Sequence, residues 1–225
     1  MDVERIAELV APYLTSEQLA APAALDAQKI RQIAAYLDLL LRWNARVNLT
    51  AVREPEEIIR RHFGESLFAA KHLYSSEPCA KETLIDFGSG AGFPGIPTKI
   101  YVPELHVILI ESQNKKATFL REVIRSLGLK EIQVHLGRAE QSALSARTVI
   151  MRAVEKFEQS LPVAASLVED RGRLAVLIGA GQVEKTKSLV PSVQWGEAVR
   201  IPGSEQEVLL VGKKNTGAVS IREIF

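Results

Sequence analysis

The feature that most constrains the fold is a dense glycine turn that directly follows a short apolar stretch. The stretch, residues 84–87 (LIDF), ends in the acid Asp86 and Phe87, and Gly88, Gly90 and Gly92 follow at alternate positions. A buried parallel strand ends in this way where it brings the chain to a ligand at the carboxyl edge of a sheet. Glycine leaves room where the backbone turns with positive φ or lies against a ligand. The turn is therefore the predicted binding site.

The spacing of the glycines distinguishes between classes of ligand. A dinucleotide fingerprint needs glycine at 93, where Phe93 stands, and a Walker loop needs a Gly-Lys-Ser/Thr that does not follow here. The remaining pattern, D-x-G-x-G-x-G starting at Asp86, is that of methyltransferases that use S-adenosylmethionine. We expect Asp86 near the ammonium group of this cofactor, and the glycine backbone near its carboxylate and ribose.

Composition limits the other possibilities. The chain has 225 residues, of which 47% are hydrophobic and 24% charged, enough for one large domain or one domain with a small appendage. Its formal net charge of +1 means that any nucleic-acid contact must come from a local basic patch. The single cysteine, Cys79, is expected to be a free surface thiol. No signal peptide or apolar run of membrane-spanning length is apparent, which predicts a cytoplasmic protein with no membrane contact.

Strand-like and helix-like segments alternate after the glycine turn. Strands are predicted at 83–87, 105–111, 132–136, 147–151 and 173–178, and helices at 93–101, 114–127 and 156–168, with a short helical turn after 139. This alternation predicts an α/β fold with a doubly wound, mostly parallel, Rossmann-like sheet, the arrangement of a class I methyltransferase. Two further β-like runs, around 193–201 and 207–212, should pair antiparallel at the sheet edge.

The residues before the sheet predict a helical appendage. Helices are indicated at 3–14 and 26–44, the second capped by Asp26, and a further helix should start near Pro55. We therefore divide the chain into an appendage, 1–78, and a methyltransferase domain, 79–225.

Three positions at predicted strand ends add to the candidate cofactor site. Glu111 ends the second strand, where a carboxylate can accept hydrogen bonds from both hydroxyls of a ribose. The turn from Gly137 to Glu140 is placed to meet the adenine through its backbone. Arg152 follows the fourth strand, beside the expected position of the sulfonium and the incoming substrate.

Local positive charge identifies candidate RNA contacts. The predicted substrate-binding residues are Arg60, Arg61, His62, Lys115, Lys116 and Arg152. The lysine pair would start a helix near the ribose of the cofactor, which suits contacts with phosphate. A solvated basic face is the alternative interpretation of such pairs.

Several segments together resemble one family. They are residues 44–50 (NARVNLT), 61–67 (RHFGESL), 86–97, 111–116 (ESQNKK), 137–140 (GRAE) and 152–153. They resemble the ribosomal RNA small subunit methyltransferase G family, also called the glucose-inhibited division protein B family. The resemblance implies methyl transfer from S-adenosylmethionine to N7 of one guanosine in small-subunit (16S) ribosomal RNA. It also implies that Gly88, Phe93, Ala139, Glu140 and Arg152 line the cofactor site.

Two residues depart from the family pattern. Glu65 stands where the family usually has aspartate, and Ile178-Gly179 stands where a Lys-Gly pair is common. A substrate or phosphate role for that lysine is therefore in doubt in this chain.

The expected chemistry needs few catalytic groups. Guanine N7 already offers a lone pair, so attack on the sulfonium methyl needs no prior removal of a proton, and we assign no catalytic residue and no metal. The expected partner is small-subunit ribosomal RNA or the 30S particle, bound by a monomer. Two alternatives stay open: a methyltransferase of small molecules, and a non-catalytic RNA-binding or assembly protein with a vestigial cofactor pocket.

Overall fold

A computed structural model describes residues 1–15, 25–75 and 82–216. Within these ranges the strands are β1 (Thr83–Phe87), β2 (His106–Glu111), β3 (Ile132–Leu136), β4 (Ala146–Arg152), β5 (Val168–Gly179), β6 (Val193–Trp195), β7 (Val199–Arg200) and β8 (Glu207–Lys214). The α-helices of the same ranges are α1 (Val3–Leu14), α2 (Ala27–Asn44), α3 (Pro55–Ile58), α4 (Glu65–Tyr74), α5 (Gly95–Tyr101), α6 (Asn114–Leu127), α7 (Phe157–Ser166) and α8 (Val183–Leu189). A π-helical turn, Ile59–Gly64, joins α3 to α4.

The strands form one mixed sheet in the order β3-β2-β1-β4-β5-β8-β6, with β7 also paired to β8. Strands β1 to β5 are parallel, whereas β8 runs antiparallel to β5, β6 and β7. The predicted doubly wound sheet with an antiparallel edge is confirmed. Because the strand order reverses between β1 and β4, a crevice is expected at their carboxyl ends, where open α/β sheets bind ligands.

The alternation of side chains along the strands creates two separate core layers. Leu84 of β1 and Leu109 of β2 pack on one face with α1, α2, α4, α5 and α6. Ile85 and Ile108, the neighbouring residues in each strand, pack on the other face with α7 and α8. This is the two-residue period of a sheet buried on both sides. The N-terminal helices therefore share a hydrophobic core with one face of the sheet.

The N-terminal helices begin where the sequence predicts. Helix α1 has the expected bounds, and Asp26 caps α2 by accepting a hydrogen bond from the Lys29 backbone N–H at 2.8 Å. The helix predicted near Pro55 is present, but its middle is the π-helical turn, which carries residues 60–62. Turns of this kind are frequent at functional sites.

Three elements after β4 differ from the prediction. Helix α7 ends at Ser166, so β5 starts at Val168, five residues earlier than expected. The run 193–201 forms two short strands, β6 and β7. Gly196 lies between them, and its backbone N–H donates a hydrogen bond to the Val211 carbonyl. Helix α8 was not predicted; Thr186 is its one fully buried residue, so it has no apolar periodicity to detect.

The predicted boundary between 78 and 79, and Cys79 with it, lies outside the described residues. In the part of the chain that the structure describes, no helix has the length and apolar character needed to cross a membrane. The same part contains no group of three or more His, Cys, Asp or Glu side chains that could hold a metal ion.

Candidate active site

The three glycines of the turn after β1 have different surroundings, although each has positive φ, at +71°, +55° and +91°. A Cβ on Gly90 would meet nothing nearer than the Gly88 carbonyl oxygen at 3.8 Å, so this residue faces open space. A Cβ on Gly92 would clash with Tyr36 and with Ile96 at 2.7 Å. Gly90 is therefore the position where a ligand can approach the backbone, whereas Gly92 allows the turn to pack on the core.

Asp86 lies underneath the turn. Its carboxyl group is 0% exposed, and Oδ2 accepts a hydrogen bond from the Gly95 backbone N–H at 3.0 Å, at the start of α5. Oδ1 has no hydrogen-bond partner among the described residues. Burial raises the pKa of Asp86 to about 7, against the lowering effect of the Gly95 N–H. The carboxylate thus holds the turn to α5 and keeps one oxygen unpaired.

Glu111 connects the end of β2 to the turn. Its Oε2 accepts a hydrogen bond from Gly90 N at 2.9 Å, and its Oε1 accepts one from Gln113 N at 2.7 Å. The side chain is 5% exposed. Each carboxylate oxygen has a second lone pair, so Glu111 can hold the glycine turn and still accept hydrogen bonds from a ligand.

The turn after β3 lies beside Glu111. The Gly137 N–H donates to the Glu111 carbonyl at 3.0 Å, and a short 3₁₀ turn, Ala139–Gln141, follows. Ala139 is buried and Glu140 is exposed. The structure therefore brings the predicted ribose and adenine positions to one end of the sheet.

Phe93 joins the glycine turn to the N-terminal helices. Its ring stacks on Tyr36 of α2 at 5.3 Å between centroids and meets Phe63 edge-on at 5.0 Å. The ring of His62 lies 5.0 Å away. The Tyr36 hydroxyl donates a hydrogen bond to the Ala91 carbonyl inside the turn. The helical appendage thus buttresses the turn directly.

Arg152, at the end of β4, is held by two groups of the N-terminal helices. Its Nη2 lies 2.7 Å from Oε2 of Glu65, and the two side chains are 12% and 4% exposed. Its Nη1 donates to Nδ1 of His62 at 3.1 Å. Burial raises the pKa of Glu65, and the charge of Arg152 opposes this rise. Glu65 therefore neutralises the arginine beside the crevice.

Arg152 fixes the protonation of His62. A guanidinium cannot accept a hydrogen bond, so Nδ1 must be unprotonated and the proton of the neutral ring lies on Nε2. Nε2 then donates to Oγ1 of Thr50 at 2.7 Å. Burial, together with the charges of Arg152 and Arg61, lowers the pKa of His62 to about 3. Both ring nitrogens are engaged, so His62 acts on its surroundings through Arg152.

Asn44 holds the loop that supplies Thr50. Its Oδ1 accepts from the backbone N–H groups of Leu49 and Thr50 at 2.8 and 3.0 Å, and its Nδ2 donates to the Thr50 carbonyl at 3.0 Å. A hydrogen-bonded chain of Asn44, Thr50, His62, Arg152 and Glu65 therefore links the end of α2 to the end of β4.

Arg60 and Arg61 lie on the π-helical turn, and each has an exposed acidic partner in α3. Arg60 pairs with Glu56 at 2.9 Å and Arg61 with Glu57 at 3.5 Å, both one helical turn away. All four side chains are 42 to 51% exposed. Exposed pairs of this kind contribute roughly 0.2–1 kcal/mol, so both arginines can exchange their glutamate for another anion.

Lys115 and Lys116 lie at the start of α6, on the same edge of the sheet as Glu111. Neither side chain makes an ion pair or a side-chain hydrogen bond within the described ranges, and Lys115 is exposed. Ile178 is 5% exposed and packs in the core beneath α7, so it supplies no charge in place of the family lysine.

Sequence reasoning missed the contacts of Tyr36, Thr50 and Glu65. Tyr36 lies on the same helical face as the buried residues Ile33 and Leu40. Because a buried tyrosine hydroxyl usually has a hydrogen-bond partner, its position on that face could have indicated a contact. Thr50 and Glu65 stand in segments that the resemblance includes, but nothing in their spacing shows that both lead to Arg152.

Comparison with known proteins identifies one family. The family model described as "rRNA small subunit methyltransferase G" (GidB) matches residues 29–207. The ribosomal RNA small subunit methyltransferase G of Alkaliphilus metalliredigens is 44% identical over 117 residues, which cover 52% of this chain and 48% of that protein. The protein of the same name from Xylella fastidiosa (strain M23) is 37% identical over 196 residues, covering 84% of this chain and 90% of that protein.

Solved structures support the fold. A SAM-dependent methyltransferase from Aquifex aeolicus superposes with a TM-score of 0.57 and 14% identity, covering 74% of this chain and 97% of that one. At this identity the likeness shows the fold alone. Because the family model spans residues 29–207 and the similarity to the Xylella protein covers 84% of the chain, the chain belongs to the rRNA small subunit methyltransferase G family.

Proposed function

We propose that this protein transfers the methyl group of S-adenosylmethionine to N7 of a guanosine in small-subunit (16S) ribosomal RNA. The observation that carries the proposal is the combination of family membership with an open glycine cradle, where a Cβ at Gly90 meets nothing nearer than 3.8 Å. The protein would act as a monomer in the cytoplasm, on naked RNA or on the 30S particle.

The residues around the cradle fit the proposed cofactor. The backbone from Gly88 to Gly92 would lie against its amino-acid part, Glu111 would accept from the ribose hydroxyls, and Ala139 and Glu140 would face the adenine through their backbone. Asp86 contributes by holding the turn to Gly95; contact with an ammonium group requires its unpaired Oδ1 to become accessible. When bound, S-adenosylmethionine supplies an electrophilic methyl group on a sulfonium.

The polar groups beside the crevice suit a target that needs no general base. His62, the nearest imidazole to Arg152, has its Nδ1 occupied and a pKa lowered to about 3, so it is a poor proton acceptor. Guanine N7 attacks with its own lone pair, and holding it in line with the methyl group can supply up to roughly 7–11 kcal/mol of the barrier reduction.

Glu65 gives the site a suitable charge balance. Positive charge moves from the sulfonium to the guanine ring during transfer, so an unpaired guanidinium nearby would oppose the product. Because Glu65 pairs with Arg152 at 2.7 Å, the net charge of that pair is zero. Arg152 can then donate hydrogen bonds to the substrate without repelling the developing charge.

The RNA would be held by exposed cations around the crevice. Lys115 and Lys116 have no acidic partner within the described ranges, whereas Arg60 and Arg61 would exchange Glu56 and Glu57 for phosphates. His62 would contribute by positioning Arg152.

Methyl transfer from labelled S-adenosylmethionine tests the proposal. The purified chain is incubated separately with small-subunit RNA, small subunits, large-subunit RNA and a metabolite extract. We expect label only in small-subunit RNA, naked or assembled. Label in the metabolite extract would favour a small-molecule enzyme. RNA binding without any transfer would favour a non-catalytic assembly protein.

A further inference from the structure

A groove outside the cofactor crevice has the composition of a nucleic-acid site. It encloses about 460 Å³ between the end of α2, the loop that follows it, and α6. The groove is lined mainly by Leu39, Arg42, Trp43, Arg46, Val47 and Glu122. None of these residues belongs to the site proposed above.

The charge of the groove is positive. Arg42 uses its Nε to donate to the carbonyl of Asp38 at 3.2 Å, which leaves both of its terminal nitrogens available. Arg46 is exposed, and its side chain makes no hydrogen bond or ion pair in the described part of the chain. The acid in the lining, Glu122, is paired with Arg125 at 2.8 Å. The guanidinium groups of Arg42 and Arg46 are therefore available in the groove, and the one acid there is already paired. This arrangement suits the binding of phosphate oxygens.

The groove also offers an aromatic surface. Trp43 is half-buried, with its ring 5.6 Å from that of Phe119 in α6, and Leu39 and Val47 extend the apolar surface. Aromatic side chains beside arginines are the usual means of binding unpaired bases together with their phosphates. A double helix would not present its base faces to Trp43, so single-stranded RNA fits this groove better.

The groove and the active site share one loop. Residues 45–47 line the groove, and Asn44 fixes the other end of the same loop through Leu49 and Thr50. Thr50 contacts His62, which contacts Arg152 at the crevice. An RNA strand in the groove would therefore contact the same loop whose Thr50 leads, through His62, to Arg152 at the crevice.

We propose that this groove binds a single-stranded segment of the substrate RNA, with Arg42 and Arg46 on its phosphates and Trp43 against a base. The proposal rests on the proposed function, because it takes ribosomal RNA as the partner. It adds a binding site to the contacts named above.

The first test measures the affinity of naked small-subunit RNA at several salt concentrations. Arg42→Ala with Arg46→Ala should reduce the slope of log affinity against log salt by about 1.4, the value for two lost phosphate contacts on a single strand. The matched control is Lys130→Ala with Arg147→Ala, which removes two exposed cations at the opposite, amino edge of the sheet. The control slope and the affinity of both variants for S-adenosylmethionine should equal those of the wild type.

The second test uses the fluorescence of Trp43. The chain has two tryptophans, so Trp195→Phe leaves Trp43 as the sole tryptophan, whose emission is excited at 295 nm apart from the tyrosines. Adding small-subunit RNA should quench its emission, with a midpoint at the dissociation constant measured in the first test. Arg42→Ala with Arg46→Ala in the same background should move that midpoint to higher RNA concentration.

The outcomes separate the two proposals. If the wild type methylates the RNA while the double variant keeps the wild-type slope and affinity, the groove proposal is wrong and the proposed function stands. The groove proposal is also wrong if the double variant binds naked RNA normally but binds assembled particles weakly, because the groove would then contact a ribosomal protein. If the wild type neither binds nor methylates naked RNA or particles, both proposals fail.

Discussion

At the scale of single residues, the positions of the D-x-G-x-G-x-G motif have different surroundings, although the motif itself gives them equal weight. Gly90 borders open space, Gly92 packs on Tyr36, and Asp86 lies beneath the turn without exposure. All three belong to one short signature. Substitutions at these positions should therefore have different consequences.

Gly90→Val should abolish binding of S-adenosylmethionine while the protein still folds. The side chain would enter the space that we assign to the ligand, and positive φ should cost roughly 1–2 kcal/mol of stability in a non-glycine residue. Calorimetric titration of the folded variant measures the affinity. Gly128→Val, where φ is also positive at +63° and a Cβ also meets nothing within 4 Å, is the matched control and should bind normally. Wild-type affinity in Gly90→Val would mean that the cofactor lies elsewhere.

Glu111→Gln should lower the affinity for S-adenosylmethionine at least several-fold. The amide can accept from only one of the two N–H groups of Gly90 and Gln113, and its NH₂ faces the other. A hydrogen bond to a charged acceptor contributes roughly 1.5–3 kcal/mol. The variant therefore loses a hydrogen bond that holds the glycine turn in place, and it also loses an acceptor for the ribose hydroxyls. Glu140→Gln, an exposed neighbour expected to act through its backbone, should leave the dissociation constant unchanged. An unaltered constant for Glu111→Gln would leave it as an ordinary acid at a strand end.

At the scale of elements, the site is assembled where strand ends meet the N-terminal helices. The π-helical turn carries His62, the loop after α2 carries Thr50, and β4 ends at Arg152. These elements are far apart in the sequence, and hydrogen bonds join them. His62 stands in the middle of that connection.

The pH dependence of stability should report the state of His62. The folded state holds the pKa of this ring at about 3, whereas the unfolded ring titrates near 6.5. Below pH 6.5 the unfolded chain binds more protons at this position, so the free energy of unfolding should fall as the pH falls toward 3. The slope should be up to about 1.4 kcal/mol per pH unit.

Denaturant unfolding between pH 7 and pH 5 checks this expectation. His62→Asn keeps an acceptor for Arg152 and cannot titrate in this range, so its stability should vary less with pH than that of the wild type. Parallel profiles for the two proteins would show that His62 is not held neutral by Arg152 and its burial.

Apolar runs and glycine spacing allowed the sheet, its strand ends and the glycine turn to be predicted. Glu111 and Arg152 were located because each ends such a run. The contacts of Arg152 with Glu65 and His62 could not be predicted, since the partners are about 90 residues away and no periodicity encodes a hydrogen bond. Helix α8 was missed for a related reason, because its two apolar residues, Val183 and Leu189, are too few to show a helical period.

At the scale of the whole molecule, one hydrophobic core continues from α1 and α2 to the sheet. Tyr36, Phe63 and Phe93 belong to it and lie directly behind the glycine turn. The proposed cofactor site at the turn and the proposed RNA contacts on the outer surface of the helices therefore lie on the same packed layer. The two activities should still separate by mutation, because their side chains differ.

Arg60→Ala with Arg61→Ala should weaken RNA binding and leave the affinity for S-adenosylmethionine unchanged. Two lost phosphate contacts should reduce the slope of log RNA affinity against log salt by up to about 1.4 to 1.8. Glu57 loses its arginine partner in the variant, which adds repulsion of phosphate, whereas Glu56 stays paired with Arg5. Affinity measured at several salt concentrations checks this. A wild-type slope with intact methyl transfer would assign the phosphate contacts to Lys115 and Lys116.

The most direct measurement identifies the nucleoside that this protein methylates. Small-subunit RNA, both naked and assembled in small subunits, is treated with the protein and S-adenosylmethionine, digested to nucleosides, and analysed by chromatography with mass detection. We expect one 7-methylguanosine per RNA at saturation, and none with Gly90→Val. A methyl group on any other atom, or no methylated nucleoside although the wild type binds both RNA and cofactor, would contradict it.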